Sequence, residues 1–211
     1  MQRQLNCGRK ADTRMKKLIW LAITLIVALS LVGGAAKARP EQQVTQFEVS
    51  AGDPFTEAFS GVAGLGDVAQ ASNGDTIKVI FTGHFDVRDH EAEGNGTFEH
   101  FNSSGTLLEF GTFQAHHLIS FTDFGTSAGL SPTFHGGTAL ILVRGMRYDN
   151  SDPALNTTSK FKATLRVDCL IGNPPAGLEE GINFAISGGL NFDEKPSNHG
   201  FTAFVATAVE D

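Results

Sequence analysis

Cysteine is scarce in this chain, with only Cys7 and Cys169 among 211 residues. Cys7 lies in a segment that reads as a removable leader. No disulfide can then form within the remainder, and stability has to come from an apolar core. Tryptophan and tyrosine are scarcer still, at one each. Trp20 falls in the leader and Tyr148 stands alone. The flat amphipathic rings on which sugars usually stack are therefore nearly missing, which counts against a carbohydrate-binding module.

Basic charge is short as well. Beyond residue 38 the chain keeps 9 Lys+Arg (16 − 7) against 22 Asp+Glu (23 − 1), a net charge of −13. A chain of that sign repels phosphate backbones and anionic lipid unless a local basic patch offsets it, and the sequence shows none. The expected partners exclude nucleic acid and, once the leader is gone, the membrane. No H-E-x-x-H or C-x-x-C spacing occurs, and no long amphipathic helical repeat.

One long hydrophobic run is present. Leu18 to Val32 carries no charge, follows Met15-Lys16-Lys17, and leads through Gly33, Gly34, Ala35 and Ala36 to Ala36-Lys37-Ala38. A basic segment, an apolar segment and an A-x-A site are the parts of a secretory signal, here a short helix cleaved after Ala38. Residues 1 to 14 are mixed polar, so translation from Met15 would give an ordinary short signal. The expected organisation is a signal peptide at 1–38, an extended segment with the first strand at 39–72, and a β-rich domain at 73–211. About 170 residues suffice to bury about 70% of their unfolded surface. All 17 Phe lie in this part, so the core is built on Phe.

Within it, alternation of period two dominates. Ile77, Val79, Phe81, Phe85 and Val87 alternate with polar residues, and Phe161, Ala163, Leu165, Val167, Cys169 and Ile171 do so again, which turns Cys169 inward. Further strands are expected at 42–49, 96–101, 106–121, 138–144, 181–187 and 201–209. The longest changes parity across Gly111, where a bulge would restore one face. Only 54–61 and 66–71 suit a helical turn or two. Short strands joined by Asn/Gly/Pro turns, without βα alternation, predict a single antiparallel sandwich or closed barrel of about eight strands.

Candidate chemistry is sparse. Gly125-Thr126-Ser127-Ala128-Gly129 spells the nucleophile elbow of serine hydrolases, but Pro132 follows in place of the helix an elbow needs. The densest group of donors is His84, Asp86, Asp89, His90, Glu91 and Glu93. Symmetric pairing of 76–88 with 96–101 would set His84 opposite His100, and with Asp86 on the same face the three could hold a divalent cation, the only cofactor the sequence offers a site. Parity also turns His117 inward. With Glu179 and Glu180 it would stand at the wall of a ligand cavity, if the sheet encloses one. Sequons occur at Asn95, Asn102 and Asn156.

The strings Gly94-Asn95-Gly96-Thr97-Phe98-Glu99-His100, Gly111-Thr112-Phe113 and Leu118-Ile119-Ser120-Phe121 resemble a group of exported prokaryotic all-β proteins to which no activity is attached. So do Cys169-Leu170-Ile171-Gly172-Asn173-Pro174-Pro175, Glu179-Glu180-Gly181-Ile182 and Gly189-Leu190-Asn191-Phe192. The resemblance covers roughly residues 73 to 205 and implies export and one domain, with no catalytic residue to transfer. The leading functional expectation is a non-catalytic exported or cell-envelope β-domain, with an envelope component as partner. The alternatives are a small barrel holding an apolar ligand, or acting as an isomerase or cyclase in a Phe-lined cavity, and a metal-binding β-domain using His84 and His100. The barrel would resemble calycin-like or allene oxide cyclase-like architecture by shape alone.

Overall fold

The structure is a computed structural model that describes residues 44–60, 66–150, 158–197 and 199–209. The expected signal segment and Asn156 lie outside the described residues. Ten strands and one short helix follow in the order β1 (Val44–Ala51), α1 (Pro54–Ser60), β2 (Asp67–Ala71), β3 (Thr76–Asp86), β4 (Glu91–Phe101), β5 (Leu107–Gly125), β6 (Phe134–Asp149), β7 (Thr158–Cys169), β8 (Gly181–Ile186), β9 (Asn191–Glu194) and β10 (Thr202–Val209).

Every strand pairing is antiparallel, and the sheet closes on itself in two ways. The long strands β3 to β6 are common to both. At one end β7, β8, β9 and β2 complete an eight-stranded ring, and at the other β10 and β1 complete a six-stranded one. Strand β3 makes the division visible, since Thr76–Val79 pair with β2 and Phe81–Asp86 pair with β1. Strands β1 and β2 are thus two halves of one position in the ring, parted by α1, whose first turn is capped by Asp53 Oδ1 accepting the Thr56 N–H at 3.0 Å. Closure leaves these strands without a long free edge.

The interior is filled by Phe, as the composition predicts. One row across the sheet reads Ala51, Phe81, Gly96, Phe113, Gly145, Phe161, each residue directly opposite the next. Rings thus alternate with glycines. The Phe161 ring lies 2.6 Å from where a Cβ on Gly145 would sit, and the Phe113 ring covers Gly96 the same way. Phe98 and Phe184 continue the cluster, with Phe98–Phe161 and Phe113–Phe184 ring centres 5.4 Å apart. Phe47, Phe85, Phe121 and Phe204 make a second cluster at the six-stranded end. Each ring taken out of water contributes about 1.5–3 kcal/mol.

Three expectations are corrected. Asp67–Ala71 form β2, not a helical turn: Asp67, Ala69 and Ala71 alternate inward, but small residues and a carboxylate hide the pattern. Strand β9, four residues long, falls outside the expected strands, while β1 lies where the first strand is expected. No bulge sits at Gly111, which pairs regularly with Phe98 and Arg147, while Leu108 and Phe110 simply face away from the core. The register shifts of β5 lie elsewhere: before Gly111 at Leu108 against β4, and after it against β6 between Ala115 and His117, Leu118 and Ser120, and Asp123 and Gly125.

Candidate functional site

Arg144 and Lys162 stand directly opposite each other on the exposed faces of β6 and β7. Hairpin pairing holds such residues with Cβ atoms about 4.5–5.5 Å apart, and like charges there are destabilising. Two residues along, Lys160 lies opposite Met146. Among the described residues none of Arg144, Lys160 and Lys162 has an acidic partner. Arg147, at the edge of the group, is held by Glu109 at 3.2 Å and donates from Nε to Ser159 Oγ at 2.7 Å.

These four cations line an open groove of about 1210 Å³. They are four of the eight Lys and Arg among the described residues. The rest of the lining is uncharged, with Asn95 and Thr97 from β4, Thr112 and Gln114 from β5, and apolar contributions from Ile80, Met146 and Ile186. No carboxylate lines it. A chain of strong negative charge therefore gathers half of its described cations in one hollow. The expectation that no basic patch exists is corrected: Arg144 and Lys162 are 18 residues apart in sequence, and only the β6–β7 register puts them side by side.

A second hollow, of about 390 Å³, shares Ile80, Thr97 and Thr112 with the groove. Phe110 and Tyr148 lie along it, directly opposite each other with rings 5.4 Å apart and 17° from parallel.

Buried acids occupy the seam where the two rings separate. Strands that part there leave backbone N–H groups without ladder partners, and carboxylates accept them. Asp67 Oδ1 takes the Gly200 N–H at 2.9 Å, and Glu180 takes those of Leu170 at 2.6 Å and Thr202 at 3.1 Å. Asp168 is held by Thr138 Oγ1, Arg166 Nε and Lys195 Nζ at 2.7, 2.9 and 2.8 Å. Asp67 is wholly buried and its Oδ2 has no partner. Burial pushes its pKa up to about 6, against the pull of the Gly200 N–H and of His199. Burial also raises Glu180. Thr202 Oγ1 lies 2.7 Å from both the Asp168 carbonyl and Glu180 Oε1, and its single hydrogen serves one of them at a time. Beside it, Cys169 is 1% exposed, and its thiol is pushed up to about 12 by burial and then by Glu180. Asp67 Oδ1 and Glu180 thus serve backbone N–H groups, while Asp168 serves side chains.

The foreseen site residues are scattered. His84 faces solvent opposite Glu93, whereas His100 is buried opposite Ile77, so the two lie on opposite faces of the sheet. The hairpin turns at residues 87–90, with His90 at a positive φ of 57°, so its register differs from the symmetric one. Asp86 binds the Arg88 and Asp89 N–H groups at that turn. The structure does not bring His84, Asp86 and His100 together, and among the described residues no three His, Cys, Asp or Glu are grouped to hold a metal. His100 instead meets Asp75 at 3.2 Å and Glu109 at 3.9 Å; Glu109, then Asp75, raises its pKa.

His117 is turned outward. The Leu118 N–H bonds to the His90 carbonyl at 2.9 Å, which seats Leu118 in the core and leaves His117 exposed against the His90 ring. Of the acidic pair only Glu180 points into the protein, while Glu179 is exposed and offers its carbonyl to Lys195. Ser127 lies in the β5–β6 connection, where its Oγ accepts the Gly172 N–H, and no helix follows it. Asn95, the first sequon, lies in β4 at the groove. The chain matches no protein-family model, no curated protein and no solved structure, so the candidate site stands on this geometry alone.

Proposed function

We propose that this chain is an exported, non-catalytic binding protein whose site is the groove over β4 to β7, and that the groove takes an anionic ligand. The observation that carries the reading is the uncompensated pair Arg144 and Lys162 with Lys160 beside it, on a surface otherwise dominated by acids. Like charges set face to face cost stability in the free protein. An anion between them turns that cost into binding energy. Phe rings packed in the interior speak against an apolar-ligand cavity within the barrel. No nucleophile stands beside a base and an orienting group in the groove, which supports binding over catalysis.

Thermal unfolding in the presence of inorganic phosphate, at constant ionic strength, tests it. A ligand that binds only the folded state raises the unfolding temperature with concentration. The expected result is a rise for the natural sequence that disappears when Arg144→Glu and Lys162→Glu are combined. An equal rise in both proteins would place anion binding elsewhere, and no rise in either would remove the reading.

A further inference from the structure

Charge explains only one end of the hollow. In the adjoining second hollow Phe110, 41% exposed, lies against Tyr148. Arg144, Met146 and Tyr148 are alternate residues of β6 and point the same way, which puts about 13 Å between the first and the last at 3.3 Å per residue. A single small anion cannot engage both ends.

We propose that the occupant is a short stretch of uronate-bearing polysaccharide, its carboxylates on Arg144, Lys160 and Lys162 and one sugar ring on the Phe110–Tyr148 shelf. This rests on the anion-binding reading above and names its ligand. Between the two ends lies the row Thr97, Thr112, Met146 and Lys160, and Asn95 and Gln114 continue the row of Arg144, so neutral groups that donate to and accept from hydroxyls stand beside the cations and on the way to the shelf. A fatty acid would want an apolar track there. At the shelf, Glu99 stands directly opposite Phe110, with Lys78 opposite Glu99 in turn. That carboxylate accepts a sugar hydroxyl. The scarcity of Trp and Tyr counts against a module that stacks several sugars, but the one Tyr stands beside Phe110 and offers a single ring an apolar face with a polar tip. The strong negative charge of the remaining surface restricts the ligand to a short segment.

Tyr148 is the only tyrosine in the chain, so protein grown on fluorotyrosine has one ring environment for fluorine NMR to follow. Oligogalacturonate, a neutral oligosaccharide of equal length, inorganic phosphate and a single-stranded oligonucleotide are titrated in turn. Oligogalacturonate is expected to move the Tyr148 resonance and to bind at least about tenfold more tightly than the neutral sugar. Tyr148→Ala weakens oligogalacturonate about tenfold and leaves phosphate binding unchanged. Phosphate binding without any response to oligogalacturonate would overturn the saccharide assignment and leave the anion site standing. A tighter response to the oligonucleotide would overturn it in favour of nucleic acid. Absence of binding by every anion would overturn both.

Discussion

Two residues set this protein against the usual economy of a β-sheet. Arg144 and Lys162 face one another with no acid to separate them, so Arg144→Gln is expected to stabilise the free protein by about 0.2–1 kcal/mol while weakening anion binding. Chemical denaturation with and without phosphate checks both halves, and a destabilised Arg144→Gln would contradict the account. Asp67 is the second case of local cost. Its pKa of about 6, against an ordinary 3.8, means that the native state holds its proton between about pH 4 and 6 while the unfolded chain has released it. Stability from this group is therefore lost as pH rises through that window, by roughly 3 kcal/mol in all. Asp67→Asn should flatten the stability curve there and be at least as stable at pH 7.5, by thermal unfolding at both ends of the window. A variant with an unchanged slope would assign the pH dependence to other groups. Neither residue stood out in the sequence. Asp67 lay in a stretch of Gly, Ala and Asp with no legible period, and Arg144 gained meaning only from its neighbour on the next strand.

At the scale of elements, strands with full-sized apolar residues were legible and those without were not. Strand β7 reads correctly from Phe161 to Cys169 because every second side chain is large or apolar and buried. β2 and β9 are short and owe their pairing to the ring rather than to their own composition. Register was the harder matter. The turn at 87–90 and the docking of His90 on Leu118 fix which residues of β3, β4 and β5 meet, and neither is visible as alternation. This is why the foreseen pairing of His84 with His100, and the inward His117, did not materialise. The Phe–Gly row carries a prediction of its own. Gly96→Ala would drive a methyl into the Phe113 ring, and a cost of about 1–3 kcal/mol is expected from such overpacking. Denaturation of Gly96→Ala beside Gly96→Ala/Phe113→Leu checks it. The second substitution should recover part of the loss, and equal losses would show that the ring is not the obstacle.

For the molecule as a whole, alternation and turn residues point to the all-β class and composition to the Phe core, while the net charge misleads about the surface. A sum of −13 beyond residue 38 describes the average field, and the closed ring then sorts residues so that half the described cations share one hollow. The same average acts on stability. Glu180, like Asp67, holds its proton more tightly in the folded chain, so its stabilising contribution is full below the ordinary carboxylate pKa and is lost as pH rises above it, while that of His100 is full below 6.5 and is lost as pH rises beyond that; acid also relaxes the mutual repulsion of the carboxylates. The central claim is that anions are bound at this one hollow. Backbone amide shifts of the isotope-labelled protein, followed by NMR through a titration with inorganic phosphate at fixed ionic strength and pH, test it most directly. Saturable shifts concentrated on Thr112 and Gln114 of β5, Arg144 to Met146 of β6 and Lys160 to Lys162 of β7 are the predicted result. Shifts that do not saturate, or that gather at any other part of the ring, would contradict it.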